Sequence, residues 1–131
     1  MERKIINPWK WQDPYGFVQG HEVAGAKRVL YCAGQTSVDG EGNPLHAGDM
    51  AAQIKQALDN VQTVLHNAGL ELSHVVRLNY YTTDVDAFTK AGGVLGKRLS
   101  GAGCRPSSTL LGVAALFHPD ILVEIEATAV A

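Results

Sequence analysis

The 131 residues are enough to bury an apolar core, and 46% apolar and 18% charged residues are typical of a globular protein. The formal net charge of −2 and the scattered Lys and Arg residues provide no basic stripe for a nucleic-acid backbone. The first residues lack the apolar segment of a signal peptide, and no later segment approaches the about 20 apolar residues that span a bilayer. We therefore expect one cytoplasmic domain over residues 1–131, with neither a nucleic-acid nor a membrane partner.

The cysteines and histidines indicate neither a disulfide nor a metal site. Cys32 lies in an apolar segment and Cys104 in a glycine-rich loop, and their spacing forms neither a redox CxxC motif nor a zinc pattern. The five histidines show no ligand spacing such as HxxxH. The glycine-rich segment at 92–96 does not match the motif of a phosphate loop, and the one at 40–42 does not match the motif of a dinucleotide site. We expect two reduced structural cysteines, no metal and no other cofactor.

Two segments near the N-terminus are predicted to form a β-hairpin. The residues from Arg28 to Ser37 begin with an apolar run that is typical of a largely buried strand. The segment from Phe17 to Val23 precedes it, and a turn at residues 25–27 would let the two strands pair. Turn residues are dense over 38–44, so the hairpin ends there.

A helix from Asp49 to Ala68 is the strongest predicted element. Its apolar residues recur at steps of four, three and four, and therefore share one stripe: Ile54, Leu58, Val61 and Leu65. Asp49 can cap the N-terminus, and Gly69 can take the left-handed conformation that ends the helix. The opposite side carries amides, which we interpret as a solvated or subunit-facing surface: Gln53, Gln56, Asn60 and Gln62.

The second half of the chain repeats this alternation of strand and helix. Alternating residues over 75–83 predict a strand, and Asp84 offers a cap for a helix that extends to Leu99. Gly92 and Gly93 inside that helix each cost about 1 kcal/mol relative to Ala, which predicts a bend or a close approach of the backbone. Two strands follow over 108–117 and 121–130.

The element order ββαβαββ predicts an α+β fold in which both helices pack on one face of a single mixed sheet. The predicted strands carry apolar residues on both sides, and two helices cover only one side. We therefore expect the second face to be apolar and buried by neighbouring subunits, so an oligomer is predicted.

The last strand contains the unusual sequence Glu124-Ile125-Glu126. A period of two places both carboxylates on one face, between Leu122 and Thr128. The pattern alone leaves two interpretations open. One is a solvated sheet edge; the other is a carboxylate that lines a cleft, where partial burial would raise its pKa and suit it to hold or activate water.

Several segments resemble the RidA/YjgF (L-PSP) family from about residue 15 to the C-terminus. They are AGQ at 33–35, the helix with Gln53 and Asn60 that leads to AGL, PSSTLLGVAAL at 106–116 and VEIEATAV at 123–130. The resemblance implies a chorismate-mutase-like fold, with a mixed six-stranded sheet and two helices on one face. It also implies a homotrimer whose sheets form an inner β-barrel, with small-molecule clefts between the subunits.

The best-characterised members of that family hydrolyse reactive imines and enamines to 2-oxo acids and ammonia. An arginine binds the substrate carboxylate, and a glutamate with a backbone group positions the attacking water. By position, the resemblance makes Glu124 the catalytic residue. The resemblance also implies five substrate-binding positions: Phe17, Ala33, Gly34, Gly92 and Ser108. Four of them differ from the family's usual residues, since Ser108 replaces the arginine, Phe17 a tyrosine, Ala33 a serine and Gly92 an asparagine.

These replacements predict a roomier and less charged cleft than the family's usual one. Arg105 lies three residues before Ser108, an offset that reverses its strand face, so it does not substitute for the arginine. Two classes of function follow: a hydrolase of a neutral or larger imine or enamine, and a non-catalytic trimer that binds a metabolite or a protein. The acidic chain, with no histidine pair or basic groove, gives ribonuclease activity little support.

Overall fold

Six strands and three α-helices follow one another in the computed structural model, which describes residues 1–131. The elements are β1 (Glu2–Ile6), β2 (Gly20–Ala24), β3 (Val29–Thr36), α1 (Met50–Asn67), β4 (Val75–Thr82), α2 (Val85–Lys90), α3 (Gly92–Gly101), β5 (Ser107–Gly112) and β6 (Val123–Val130). Short 3-10 turns occupy Asp13–Tyr15 and Leu72–His74. No helix combines the length and apolarity that crossing a bilayer requires.

The strands form two sheets rather than one six-stranded sheet. The main sheet has the order β3-β6-β4-β5, in which β4 and β5 are parallel and the other pairs are antiparallel. β1 and β2 form a separate antiparallel pair. The α+β class with a mixed sheet is confirmed, and the single sheet of six strands is wrong for this chain.

The predicted hairpin between the second and third strands is also wrong. β2 pairs with β1, and β3 pairs with β6, about a hundred residues later in the chain. All five residues of β1 are exposed, so this strand lacks the buried alternation that a sequence pattern detects. The turn next to β3 therefore does not determine which strand β3 pairs with, because that partner is distant in the sequence.

Helix α1 forms the centre of the core, as its periodicity predicted. The four residues of its apolar stripe are completely buried, and the helix packs against β3 and β6. Asp49 caps the first turn by accepting a hydrogen bond from Ala52 N at 3.0 Å. Gly69 follows the helix with a φ of 72°, in the left-handed region that favours glycine.

Two of the amides on α1 are not on a solvated surface, in contrast to the prediction. Gln53 is completely buried; its Nε2 donates to the carbonyls of His46 and Asp120, and its Oε1 accepts from Leu122 N at 2.8 Å. Asn60 donates to the carbonyls of Thr36 and Val38. The amides hold the segment before β6 and the end of β3 against the helix.

The second predicted helix is broken into α2 and α3 at Ala91, next to the two glycines. This break confirms the predicted bend. A Cβ added to Gly92 or Gly93 would meet nothing within 4 Å, so neither glycine marks a close approach within this chain. β5 ends at Gly112, short of the predicted residue 117. Its partner β4 ends at Thr82, so no further residues of β4 are available for pairing.

The sheet face opposite the helices carries mostly polar residues with some exposed apolar ones, whereas the sequence pattern predicted an apolar face. Buried residues alternate along β6 from Val123 to Ala129, and Val123, Ile125 and Ala127 all face the helices. The opposite face of the sheet, which we call the open face, carries the polar residues Arg77, Asn79, Tyr81, Thr109, Glu124, Glu126 and Thr128. The exposed Tyr31 and Leu111 share this face, because they pair with Thr128 and Tyr81. The apolar residues of the central strands thus pack in the core between the sheet and the helices. They do not by themselves require burial against a neighbouring subunit.

Both cysteines are buried and unpaired. Burial raises the pKa of the Cys104 thiol to about 11, so this thiol is protonated and unreactive near neutral pH. These environments agree with the structural role that the sequence predicted for both cysteines.

Candidate functional site

Glu124 lies half-buried on the open face of β6, with its side chain across the backbone of Gly34. A Cβ at position 34 would lie 2.7 Å from Cδ, 2.8 Å from Cγ and 2.9 Å from Oε1 of Glu124, closer than real Cβ atoms approach. Glycine at position 34 therefore allows the carboxyl group to rest directly against the backbone of β3.

A β-bulge in the AGQ segment brings Gly34 to this position. The register between β3 and β6 shifts between Cys32 and Gln35, so Ala33 and Gly34 lie in the irregular part of the ladder. A bulge leaves backbone polar groups outside the ladder, and here those groups lie beside a carboxylate. The arrangement combines a carboxylate with nearby backbone groups, which together can hold a water molecule.

The position of Glu124 in the sheet excludes one of the two interpretations that the sequence left open. β6 lies between β3 and β4 in the main sheet, so it is a central strand and not a solvated edge. Glu124 is nevertheless half exposed on the open face. Helices cover only one face of the sheet, so a carboxylate on the other face of a central strand is available to line a cleft.

Ser108 lies on the opposite face of the sheet from Glu124. In neighbouring strands, paired residues share a face. Ser108 pairs with the fully buried Leu78 and so faces the helices, whereas Glu124 pairs with Tyr81 on the open face. β4 separates the two strands. One chain therefore does not bring Ser108 and Glu124 into one site.

Phe17 lies close to the start of β5 and so belongs with Ser108. The next residue, Val18, forms an isolated parallel bridge with Ser107, and its N–H donates to Pro106 O at 2.9 Å. The Phe17 ring is packed edge-on against Trp11, with 5.7 Å between the ring centroids.

Arg105 is bound to the loop that carries Phe17. Its Nη2 lies 2.9 Å from Asp13 Oδ1 in an exposed ion pair, so the guanidinium already has a partner. Gly92 is half-buried at the start of α3. The predicted site residues thus fall into a group at β3 and β6, a group at β5, and Gly92 at the helix junction.

Glu126 has partners that sequence reasoning missed. Its Oε1 accepts hydrogen bonds from Tyr81 Oη at 2.5 Å and from Asn79 Nδ2 at 2.9 Å. The Tyr81 hydroxyl, followed by the Asn79 amide, holds the pKa of Glu126 below its usual range, and the same bond raises the pKa of Tyr81. The detectable signal was the alternation of polar residues at 77, 79 and 81, since these share a face.

A family model described as Endoribonuclease L-PSP matches residues 15–131. The chain belongs to this family, the RidA/YjgF family. A crystal structure of YyfB, a conserved Rid family protein from Yersinia pestis, has a TM-score of 0.88 and 33% identity, with 100% of each chain covered. The YjgF gene product of E. coli has a TM-score of 0.70 and 29% identity, and the match covers 87% of each chain.

A curated relative of this RidA/YjgF member is named for an activity. It is the 2-iminobutanoate/2-iminopropanoate deaminase of Bos taurus, which is 32% identical over 128 residues, a match that covers 98% of this chain and 90% of the relative. The family and the α+β fold of YjgF type that the sequence predicted are confirmed by these comparisons.

Proposed function

We propose that this chain is a RidA-like cytoplasmic hydrolase that deaminates a reactive imine or enamine, and that its substrate does not need a carboxylate. The observation that carries the proposal is the contact between Glu124 and Gly34, which holds a half-exposed carboxylate against a bulge. The name of the bovine relative supports the same class of reaction.

The proposed reaction needs only water and a positioned carboxylate. Glu124 accepts a proton from water as the water oxygen bonds to the imine carbon, and the electrons of the C=N bond move to nitrogen. The nitrogen is then protonated, the C–N bond breaks as the carbonyl forms, and ammonia leaves. The overall change is imine plus water to carbonyl compound plus ammonia. Glu124 and the backbone at Gly34 contribute by orienting the water.

Ser108 determines the proposed substrate class. A serine hydroxyl cannot replace the bidentate, charge-assisted contact that an arginine makes with a carboxylate. Losing such a contact costs about 1.5 to 3 kcal/mol, or about ten- to a hundredfold in affinity. Arg105 is engaged with Asp13. Neutral or larger imines therefore fit this site better than 2-imino acids.

The proposed site is completed by a second subunit. Ser108 and Glu124 lie on opposite faces of one sheet, so a cleft that contains both must take one from each of two chains. We propose a homotrimer of single-domain subunits, each of residues 1–131, with ligand clefts between neighbours. In this arrangement Phe17, Ser108 and Gly92 bind substrate opposite Ala33, Gly34 and Glu124.

The experiment follows the hydrolysis of freshly generated imines, with uncatalysed decay as the baseline. An amino-acid oxidase supplies 2-iminopropanoate and 2-iminobutanoate, and an amine oxidase supplies a neutral imine. We expect acceleration of the neutral imine, its loss in Glu124→Gln, and a ten- to hundredfold gain on 2-iminopropanoate in Ser108→Arg, about the value of one arginine contact. Light scattering should give three copies per particle for each variant.

Two results would refute the proposal. Absence of acceleration with any imine by a folded trimer would indicate a non-catalytic binding protein. Full activity of Glu124→Gln would remove the assigned role of the carboxylate, even if the protein were an enzyme.

A further inference from the structure

Two aromatic side chains present an uncovered apolar surface beside the proposed substrate-binding residues. The ring centroids of Trp11 and Phe17 are 5.7 Å apart, and the ring planes meet at 71°. In such an edge-to-face contact the edge of one ring meets the face of the other, and the rest of both rings stays available. Trp11 is 60% exposed and Phe17 is half-buried. We call these two side chains the aromatic pair.

The loop that carries the aromatic pair is held by hydrogen bonds to its surroundings. Gln12 is completely buried; its Nε2 donates to a carbonyl of the same loop at 2.8 Å, and its Oε1 accepts from Gln19 Nε2 at 3.2 Å. The ion pair between Asp13 and Arg105 attaches the loop to the segment before β5. A ligand that binds to Trp11 therefore meets an ordered loop, which lowers the entropy cost of binding.

The aromatic pair and Ser108 lie on the helix-bearing side of the sheet, away from the open face. Val18 forms its bridge with Ser107, whose partner in β4 belongs to the open face. Phe17 and Ser108 are each next to a member of that bridge, so alternation along the chain turns them to the other face. The helices leave this part of that face uncovered, because Leu110, two residues after Ser108, is 40% exposed. The aromatic pair is thus outside the surface that the sheets of a trimer would share.

We propose that the aromatic pair binds an aromatic group of the imine substrate, and that Trp11 is a specificity-determining residue. The proposal rests on the proposed function, which places the imine carbon near Glu124. Ser108 supplies no charge for a carboxylate, whereas Trp11 and Phe17 on the same side offer apolar contact. Aromatic rings attract one another at centroid separations of about 4.5 to 7 Å, the range that the two rings already show.

The size of the aromatic pair favours a small molecule over a protein partner. No other aromatic ring contacts the pair, and the Asp13–Arg105 ion pair lies on the same loop as Trp11. A stable protein interface buries about 800 Å² on each partner, far more than two side chains provide. One ring of a small substrate matches the surface that is present.

Two neutral imines that differ in a single group test the proposal. An amine oxidase converts 2-phenylethylamine and propylamine to imines in which a phenyl group replaces a methyl group, two bonds from the imine carbon. We expect the wild type to have a kcat/KM about tenfold or more higher for the phenyl-bearing imine. Trp11→Ala should lower this preference about tenfold, and Trp11→Phe, which keeps an aromatic ring, should retain most of it.

Trp9 provides the matched control. It lies on the same loop and is 58% exposed, but its ring makes no contact with Phe17. Trp9→Ala should therefore keep the preference for the phenyl-bearing imine. Circular dichroism verifies that each variant is folded.

Stable amides test the same subsite without catalysis. Phenylacetamide and propionamide carry the same phenyl and methyl groups as the two imines, and neither is charged. The chain has two tryptophans, so Trp9→Phe leaves Trp11 as its only one, and tryptophan fluorescence then reports on the aromatic pair. We expect acrylamide to quench Trp11 in the assembled protein and phenylacetamide to protect it. Propionamide should bind about tenfold more weakly.

Three results would overturn the proposal. They are equal binding of the two amides, a Trp11 that acrylamide cannot reach because a neighbouring subunit or a partner covers it, and a loss of preference in Trp9→Ala equal to that in Trp11→Ala. Absence of hydrolysis of every imine would instead overturn the proposed function. The amide titration would then still decide whether the aromatic pair binds an aromatic group, so the two failures are distinguishable.

Discussion

Replacing Gly34 with alanine moves the carboxyl group of Glu124 without removing it. The added Cβ would lie 2.7 Å from Cδ of Glu124, whereas ordinary contacts begin at 3.4 Å, so the carboxyl must retreat by about 0.7 Å. Gly34 does not have a left-handed φ, so alanine is compatible with the backbone. Because the displaced group is the end of a flexible side chain, and alanine restricts the unfolded chain, we expect stability to change by less than about 1 kcal/mol.

The effect of this replacement on catalysis should be much larger than its effect on stability. A displacement approaching 1 Å of a positioning group costs up to about a hundredfold in rate, so we expect Gly34→Ala to lower kcat for imine hydrolysis by about ten- to a hundredfold. Gly40→Ala is the matched control, because a Cβ at Gly40 meets nothing within 4 Å and its φ is not left-handed. Urea unfolding measures the stability of both variants.

A double-mutant cycle tests the assigned cause. If Gly34→Ala acts through Glu124, it should have no further effect on kcat in the Glu124→Ala background. The reasoning is refuted if Gly34→Ala keeps the wild-type rate, or if it lowers the residual rate of Glu124→Ala by the same factor.

Three further predictions concern stability. Gln53→Leu removes the three hydrogen bonds of a fully buried amide and leaves Asp120 O and Leu122 N without this partner, so it should lower the free energy of unfolding in urea by about 2 to 4 kcal/mol. The half-buried Gln56→Leu should cost under about 1 kcal/mol, and equal losses for the two would disprove the role given to Gln53. Since the pKa of Glu126 is lowered in the folded state, its stabilisation is present above about pH 4.3 and is lost as the pH falls through the lowered value. The stability gap between wild type and Glu126→Gln should therefore narrow from about pH 7 to about pH 3, and a constant gap would contradict the assignment. Asp49→Ala removes the cap of α1 and should cost about 1 kcal/mol, as measured by thermal unfolding; an unchanged Tm would show that the cap is dispensable.

Local sequence patterns predicted the elements that are determined by interactions between residues close in the sequence. Helix α1 was predicted with both ends, because its stripe, its aspartate cap and the glycine that ends it all lie within about twenty residues. The pairing of β3 with β6 was missed, because it depends on residues about a hundred positions apart. The role of Gln53 was missed for the same reason, since two of its partners lie 67 and 69 residues away.

In the candidate site, too, the sequence identified residues but not the contacts that depend on strand pairing. Resemblance identified Glu124 and Gly34 as candidates, but only the register of the bulge shows that they touch. The sequence could not show that Ser108 and Glu124 lie on opposite faces, because that depends on the pairing of three strands. The partners of Glu126 lie 45 and 47 residues earlier, so the local alternation shows that they share a face but not that they bind Glu126.

The amide contacts of α1 also have a consequence for motion. Gln53 and Asn60 attach the segment before β6 and the end of β3 to the most deeply buried helix. Separating the two strands beside Glu124 would therefore break contacts with that helix as well, so this separation belongs to the slow, nearly global fluctuations of the molecule. The carboxylate is thus held by the rigid part of the protein, and a ligand that reaches it does so by approaching the open face rather than by parting the strands.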